Sequence, residues 1–240
     1  MQTFQLNTEI QCNFLSGFYN CKWLNKSGID NNMRLFLILL LSSSFHLAAQ
    51  HISFAAEIND STALVIGDSK LVSKLTFYVS DLQFETIDGE IVKVAAYHLI
   101  DFKDSNSLTI ETTKAVEKEI KSIHFKLGID STTNVSGAFG GVLDPTKGMY
   151  WSWQSGYINF KIEGIVEKEK YILHLGGYSS PFKSVQQVIL PVMKRTDEFR
   201  VTLPIIEIIE KLVPIDNTVM SPSLNAVSMS KSIASYFYLK

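Results

Sequence analysis

Between residues 51 and 203 the dominant spacing of apolar side chains is two, carried by several separate runs, the period of a half-buried β-strand. His51-Ile52-Ser53-Phe54-Ala55 is a short alternating run, and Leu75 to Phe84 is a longer one. Asp88-Gly89 reads as a turn. Ile91 to Phe102 follows, with Tyr97, Leu99 and Asp101 on one face and His98, Ile100 and Phe102 on the other. Ser122 to Ile129 places Ile123, Phe125, Leu127 and Ile129 together. Tyr157–Val166 and Tyr171–Leu175 read as a hairpin around the polar turn Glu167-Lys168-Glu169-Lys170. Val185–Val192 and Phe199–Leu203 read as a further pair, joined near Arg195-Thr196-Asp197. The period then changes: Ile205–Leu212 and Pro222–Leu239 have helical spacing, with Pro204 and Pro222 where a helix start tolerates them. The expected class is mostly β, an antiparallel two-sheet β-sandwich with short C-terminal helices.

The first fifty residues follow other rules. Met33-Arg34 gives a short positive start, Leu35 to Leu41 is unbroken and apolar, and Ala48-Ala49-Gln50 is a small-residue stretch. That order is the export pattern, so residues 33–49 are expected to be a signal peptide. The apolar run falls short of the about 20 residues that cross a bilayer. Residues 1–32 show no clear periodicity and are expected to be a start-site misassignment or a disordered extension. The folded domain is expected over 51–240, in a periplasmic or secreted protein with no stable membrane insertion.

Both cysteines, Cys12 and Cys21, lie upstream of the expected cut, so the remaining chain has no disulfide, thiolate nucleophile or thiolate ligand. Residues 1–50 hold three of the 22 Lys/Arg and two of the 24 Asp/Glu, leaving 19 basic and 22 acidic side chains. This mixed balance gives no footprint for a nucleic-acid partner.

The segment richest in chemistry is Gly148-Met149-Tyr150-Trp151-Ser152-Trp153-Gln154-Ser155-Gly156-Tyr157. If extended, it points Trp151 and Trp153 to the same side. It is either an aromatic core plug beside a turn or an exposed platform. His51, His98, His124 and His174 form no close pair, so a single-segment zinc site is not indicated. Pairing across the expected turn puts His174 opposite Glu163, on the polar face with Asn159 and Lys161, a setting able to orient an imidazole. His98 shares an apolar face with Ile100 and Phe102, as a core histidine would. His124 alternates outward, and His51 sits at the new N-terminus, where an α-amine beside an imidazole makes a copper chelate. The chain has no G-x-S-x-G elbow, P-loop or H-E-x-x-H, and no nucleophile–base pair, so it is expected not to be an enzyme.

The chain resembles the MbnP-like copper-binding protein family. The motifs are Phe77-Tyr78-Val79-Ser80-Asp81-Leu82, Tyr97-His98-Leu99-Ile100-Asp101 and Phe125-Lys126-Leu127-Gly128-Ile129-Asp130. They continue through Leu143-Asp144-Pro145, the tryptophan segment, Lys161-Ile162-Glu163-Gly164 and His174-Leu175-Gly176-Gly177. The resemblance implies a periplasmic or secreted β-sandwich that binds copper, with a tryptophan oxidised to kynurenine by a di-haem cytochrome c peroxidase-like partner. It implies His174 as a ligand and Trp151 or Trp153 as the modified residue. A second ligand would come from His98, His51 or Met149, since copper accepts imidazole and Cu(I) also thioether. Glu163 and Tyr157 would support them. A histidine that the family often carries before the last helix has no counterpart in Asn217–Pro222. The alternative is a non-metal binding or interaction module using residues 149–157 as an exposed aromatic surface.

Overall fold

The computed structural model describes residues 9–15, 18–24, 49–59, 62–63, 71–112, 116–153 and 156–240. All but the last residue of the expected signal peptide lies outside them. Residues 1–46 and 47–240 are separate units. In the first, β1 (Glu9–Leu15) and β2 (Phe18–Leu24) pair antiparallel with Cys12 opposite Cys21, so the stretch read as aperiodic contains one regular pair.

The second unit is the β-sandwich that the alternation implies. Its strands are β3 (His51–Asn59), β4 (Thr62–Ala63), β5 (Lys74–Thr86), β6 (Ile91–Asp101), β7 (Thr109–Glu111) and β8 (Ile120–Leu127). The short helix α1 (Ser131–Val135) precedes β9 (Tyr150–Trp151), β10 (Gly156–Val166), β11 (Glu169–Gly176), β12 (Gln186–Pro191) and β13 (Glu198–Pro204). Helix α2 (Ile205–Leu212), β14 (Thr218–Val219), helix α3 (Leu224–Tyr236) and β15 (Tyr238–Leu239) complete it. The larger sheet runs β12-β8-β5-β10-β11-β14, with β6 also on β5 and β9 on β10. The smaller runs β15-β13-β3-β4, with β7 on β3. Among the described residues no helix is long and apolar enough to cross a membrane.

Between the sheets lies an aromatic core centred on Phe77, whose ring meets Phe54, Phe102, Phe160 and Phe237 at centroid distances of 5.7 to 6.3 Å. Ile52, Val201 and Leu203 of the smaller sheet pack into the same core. The domain's first residues are tied in: buried Gln50 accepts from the Val116 N–H and donates to the Val116 carbonyl and Asp197, and the His51 N–H donates to the Asp197 carbonyl at 2.8 Å.

Two local expectations are corrected. Strands β12 and β13 do not pair. β12 joins β8 in one sheet, whereas β13 runs parallel to β3 in the other. The link through Arg195-Thr196-Asp197 crosses between sheets, which alternation alone cannot reveal. The turn between β10 and β11 is also tighter than read. Glu167 and Lys168 both have positive φ, 50° and 73°, the signature of a two-residue hairpin loop. The register shifts accordingly: Lys161 faces His174, and Glu163 faces Ile172. The helical spacing of 222–239 also stops early, because Tyr238 and Leu239 extend to pair with Thr202 and Val201.

Strand β5 carries β10 and β8 in succession along one edge, through Lys74–Phe77 and Val79–Thr86. Where those two strands diverge, a buried polar stitch fills the junction. The Gly128 N–H donates to the Tyr78 carbonyl at 2.8 Å, and Ser80 Oγ donates to the Gly128 carbonyl at 2.6 Å. Asn159 Oδ1 accepts from the Ile129 N–H at 2.9 Å, while its Nδ2 donates to Ser184 Oγ at 2.9 Å. Residue 128 must be glycine, since its φ is 107° and the Asn159 side chain occupies the space of a Cβ. The stitch leads the chain out over the outer face of the larger sheet, where residues 129–151 build a cap with its own apolar cluster of Tyr78, Leu99, Leu143, Met149, Trp151 and Tyr157.

Replacing the ring at the centre of the core should be a costly truncation. Phe77→Ala is expected to lower stability by about 3–5 kcal/mol, read from urea unfolding midpoints at constant m.

Candidate metal site

Of the residues that the sequence singled out, His174, Glu163, Tyr157, Met149 and Trp151 lie on β10, β11 or the cap that covers them. Alternation sends Leu173 and Leu175 into the core and His174 to the outer face. His174 is buried, and its Nε2 lies 2.8 Å from Glu163 Oε1. The pair was expected to face directly across the hairpin. It instead meets on the diagonal, within reach because a two-residue displacement preserves the face. Burial pushes the His174 imidazole below its usual range, partly offset by the Glu163 hydrogen bond. Burial alone would raise the Glu163 carboxyl, but the hydrogen bond from His174 and the His174 and lysine charges hold it below the usual range. The consistent state is a neutral imidazole donating Nε2–H to a carboxylate. That leaves the Nδ1 lone pair, for which no hydrogen bond is found among the described residues, open to a further partner.

Lysines surround this pair. Lys161, directly across from His174, is buried, and its Nζ donates to the Gly148 carbonyl. Burial and the neighbouring Lys74 charge hold its ammonium below the usual lysine range. Lys74 sits opposite Glu163 on β5.

The tryptophan segment closes the cap. Asp144 begins a single helical turn over Pro145–Lys147, which ends at Gly148 with φ 72° and turns the chain into β9. The Ile158 N–H donates to the Met149 carbonyl at 2.9 Å, and Trp151 pairs with Gly156. Met149 and Trp151 are buried. The Trp151 ring lies on Gly176: a Cβ there would stand 2.7 Å from Trp151 Cζ3 and 2.7 Å from the Tyr157 carbonyl oxygen. Gly176 and His174 are two residues apart on the same face of β11. Trp151 Nε1 is buried with no hydrogen-bond partner among the described residues, an uncommon state for an indole N–H. Tyr157 braces the cap, its hydroxyl accepting from the Phe139 N–H at 3.0 Å and donating to the Leu143 carbonyl at 3.1 Å.

The reading of residues 149–157 as an exposed aromatic surface is corrected. Met149, Trp151 and Tyr157 are interior, whereas Trp153 is 64% exposed. A turn at Ser152-Trp153 replaces the extended geometry. The two indoles still touch, with centroids 6.3 Å apart and planes tilted by 38°.

The other histidines lie apart. His98 pairs with Val79 on the inner face of the larger sheet, so the sheet itself separates it from His174. Its Nε2 donates to the Ser107 carbonyl at 2.7 Å, as a satisfied histidine would. His51 lies on β3 of the smaller sheet, facing away from the core, with Nδ1 3.7 Å from Glu111. His124 Nε2 is held by Ser122 and Glu85. Among the described residues no three His, Cys, Asp or Glu side chains form a set that could hold a metal. What the structure shows is the hydrogen-bonded His174–Glu163 pair on the outer face of β10 and β11, with Trp151 seated on Gly176 two residues further along β11 and Met149 in the same apolar cluster as Trp151.

A family model for MbnP matches residues 44–226, most of the chain. The chain belongs to the MbnP family. Among solved structures, MbnP from Methylosinus trichosporium is similar, at 16% identity, with 68% of this chain and 78% of that chain covered and a TM-score of 0.48. No curated protein matches. In this MbnP-family chain, sequence reasoning missed the role of Gly176 as the seat of Trp151 and of Lys161 as a strut to Gly148. The Gly176-Gly177 pair read only as a turn, and no local pattern announces that a ring from a distant segment needs the space.

Two outcomes follow from this geometry. Gly176→Ala should displace the Trp151 ring and destabilise the protein by about 1–3 kcal/mol, with altered near-UV circular dichroism as the readout. The depressed His174 makes the folded state bind fewer protons than the unfolded one. Its stabilisation is complete above about pH 6.5 and is lost as pH falls through the lowered folded-state pKa. Across that window the urea midpoint of the wild type should fall more steeply with acidification than that of His174→Gln.

Proposed function

We propose that this MbnP-family chain is an exported copper-binding protein rather than an enzyme, with its metal site built on His174 and on Trp151 after oxidation to kynurenine. The observation that carries the reading is an oriented imidazole and, seated on Gly176 two residues along the same strand, a buried indole, with neither His174 Nδ1 nor the Trp151 N–H hydrogen-bonded among the described residues. Copper is the ion implied by the family resemblance, and the residues fit it. A neutral imidazole is a good copper ligand, and its carboxylate partner fixes the tautomer. Opening the Trp151 ring would replace an unpartnered donor by an amine and a carbonyl able to face a metal. Met149 supplies a thioether within the same apolar cluster. Lys161 and Lys74 place two positive charges against one carboxylate around the imidazole, a setting that penalises a dication more than Cu(I).

Of the two tryptophans, Trp151 is the one assigned to modification, because it is buried on the His174 face. A di-haem cytochrome c peroxidase-like partner would supply the oxidising equivalents outside the cytoplasm. The rival reading, an aromatic docking module, is left with Trp153 as its one exposed ring in the segment.

The test uses protein purified from its native host. Copper is measured by elemental analysis, and the peptide containing Trp151 by tandem mass spectrometry. Bound copper together with kynurenine at position 151 is expected. Glu163→Gln should weaken copper affinity by about 10–100-fold, and His174→Ala should abolish retention. An unmodified Trp151 in a chain that takes up no copper would reject the reading.

A further inference from the structure

The buried position of Trp151 raises a problem of access. The ring is sealed between Gly176 and the cap with 2% of its surface exposed, so no macromolecular oxidant can touch it. Trp153 differs in the relevant respect. It is 64% exposed, and its ring sits 6.3 Å from that of Trp151, within the range of direct aromatic contact. The turn at Ser152-Trp153 creates this arrangement by sending one indole inward and the next outward while keeping them adjacent.

We propose that Trp153 is an electron relay, the surface terminus through which an external one-electron oxidant withdraws electrons from Trp151. The inference rests on the proposed oxidation of Trp151 and adds to it the route. In each cycle the oxidant takes one electron from the Trp153 indole. Trp151 then passes one electron to the Trp153 radical cation, which returns to its starting state. Four such cycles, with two waters adding two oxygen atoms and four protons leaving to bulk water, convert the Trp151 indole to N-formylkynurenine. Hydrolysis by a third water releases formate and leaves kynurenine. The relay residue is unchanged at the end, and irreversible ring opening at Trp151 draws the transfers in one direction. Trp153 is therefore a positioning residue for oxidation and takes no part in holding the metal.

The experiment uses the full chain, metal-free, with photogenerated tris(bipyridine)ruthenium(III), a bulky one-electron oxidant that becomes ruthenium(II). Tandem mass spectrometry reads oxidation separately at Trp151 and Trp153. In the wild type, products should appear at Trp151. In Trp153→Phe, whose ring resists one-electron oxidation, Trp151 oxidation should fall by about tenfold or more. Trp153→Tyr, which remains oxidisable, should restore it. Unchanged thermal melts of both variants would show that the surface substitution leaves the fold intact. Equal Trp151 oxidation in the wild type and Trp153→Phe would overturn the proposal, as would wild-type products confined to Trp153. Because no copper is present, failure here leaves the copper reading to its own test, and loss of copper binding leaves the relay to this one.

Discussion

The architecture depends on one strand having two partners on the same edge. β5 gives its first residues to β10 and the rest to β8, and the two diverge beside Tyr78 and Ser80. A divergence inside a sheet would leave backbone groups unpaired in the interior, which costs more than the hydrogen bonds themselves contribute. Here the Gly128 N–H answers the Tyr78 carbonyl, Ser80 answers the Gly128 carbonyl, and Asn159, itself held by Ser184, answers the Ile129 N–H. A buried polar network that is fully satisfied fixes one arrangement of the strands around it. Because it launches the chain from Ile129 across the sheet, the cap and the position of Trp151 descend from it.

The charges around the imidazole follow from the same geometry. Direct pairing brings Lys161 against His174, and β5 brings Lys74 against Glu163. Three strands thus set two cations and one carboxylate in a tight group. Desolvation decides the outcome for the two most buried members, since it opposes charge on His174 and on Lys161 alike. Glu163 remains ionised because it has a donor and two nearby cations. The imidazole is therefore held neutral and oriented, by a hydrogen bond on one nitrogen and by burial around the ring.

Period-two alternation exposed the strands of the larger sheet, the hairpin and the face shared by His174, Glu163 and Lys161. A face survives an error of two residues in register, which is why the His174–Glu163 contact was legible although the turn was misread. Two-residue loops at positive φ are usually marked by Asn-Gly or Gly-Gly, and here Glu167-Lys168 hid the turn. The separation of His98 from His174 by the sheet needed the pairing of β5 with both β6 and β10, a non-local fact. The opposite fates of Trp151 and Trp153 depended on a turn at Ser152 that carries neither glycine nor proline. Sheet membership of β12 and β13 lay beyond any single-segment pattern, because both alternate equally well.

The parallel pairing of β3 with β13 has a consequence for the order in which the structure forms. β3 is the first strand of the sandwich unit, and its longest partner is one of the last, with His51 matched to Glu198 and Glu57 to Pro204. A chain emerging from its N-terminus carries the apolar face of β3 without that partner until nearly all of the domain has been made. The early neighbours β4 and β7 are two and three residues long and leave most of that strand's edge open. Closing so long a loop carries its entropic cost before any contact compensates it. The topology thus favours late closure of the smaller sheet. Gln50 and His51, hydrogen-bonded to Asp197 in the finished fold, are locked only once that closure is complete.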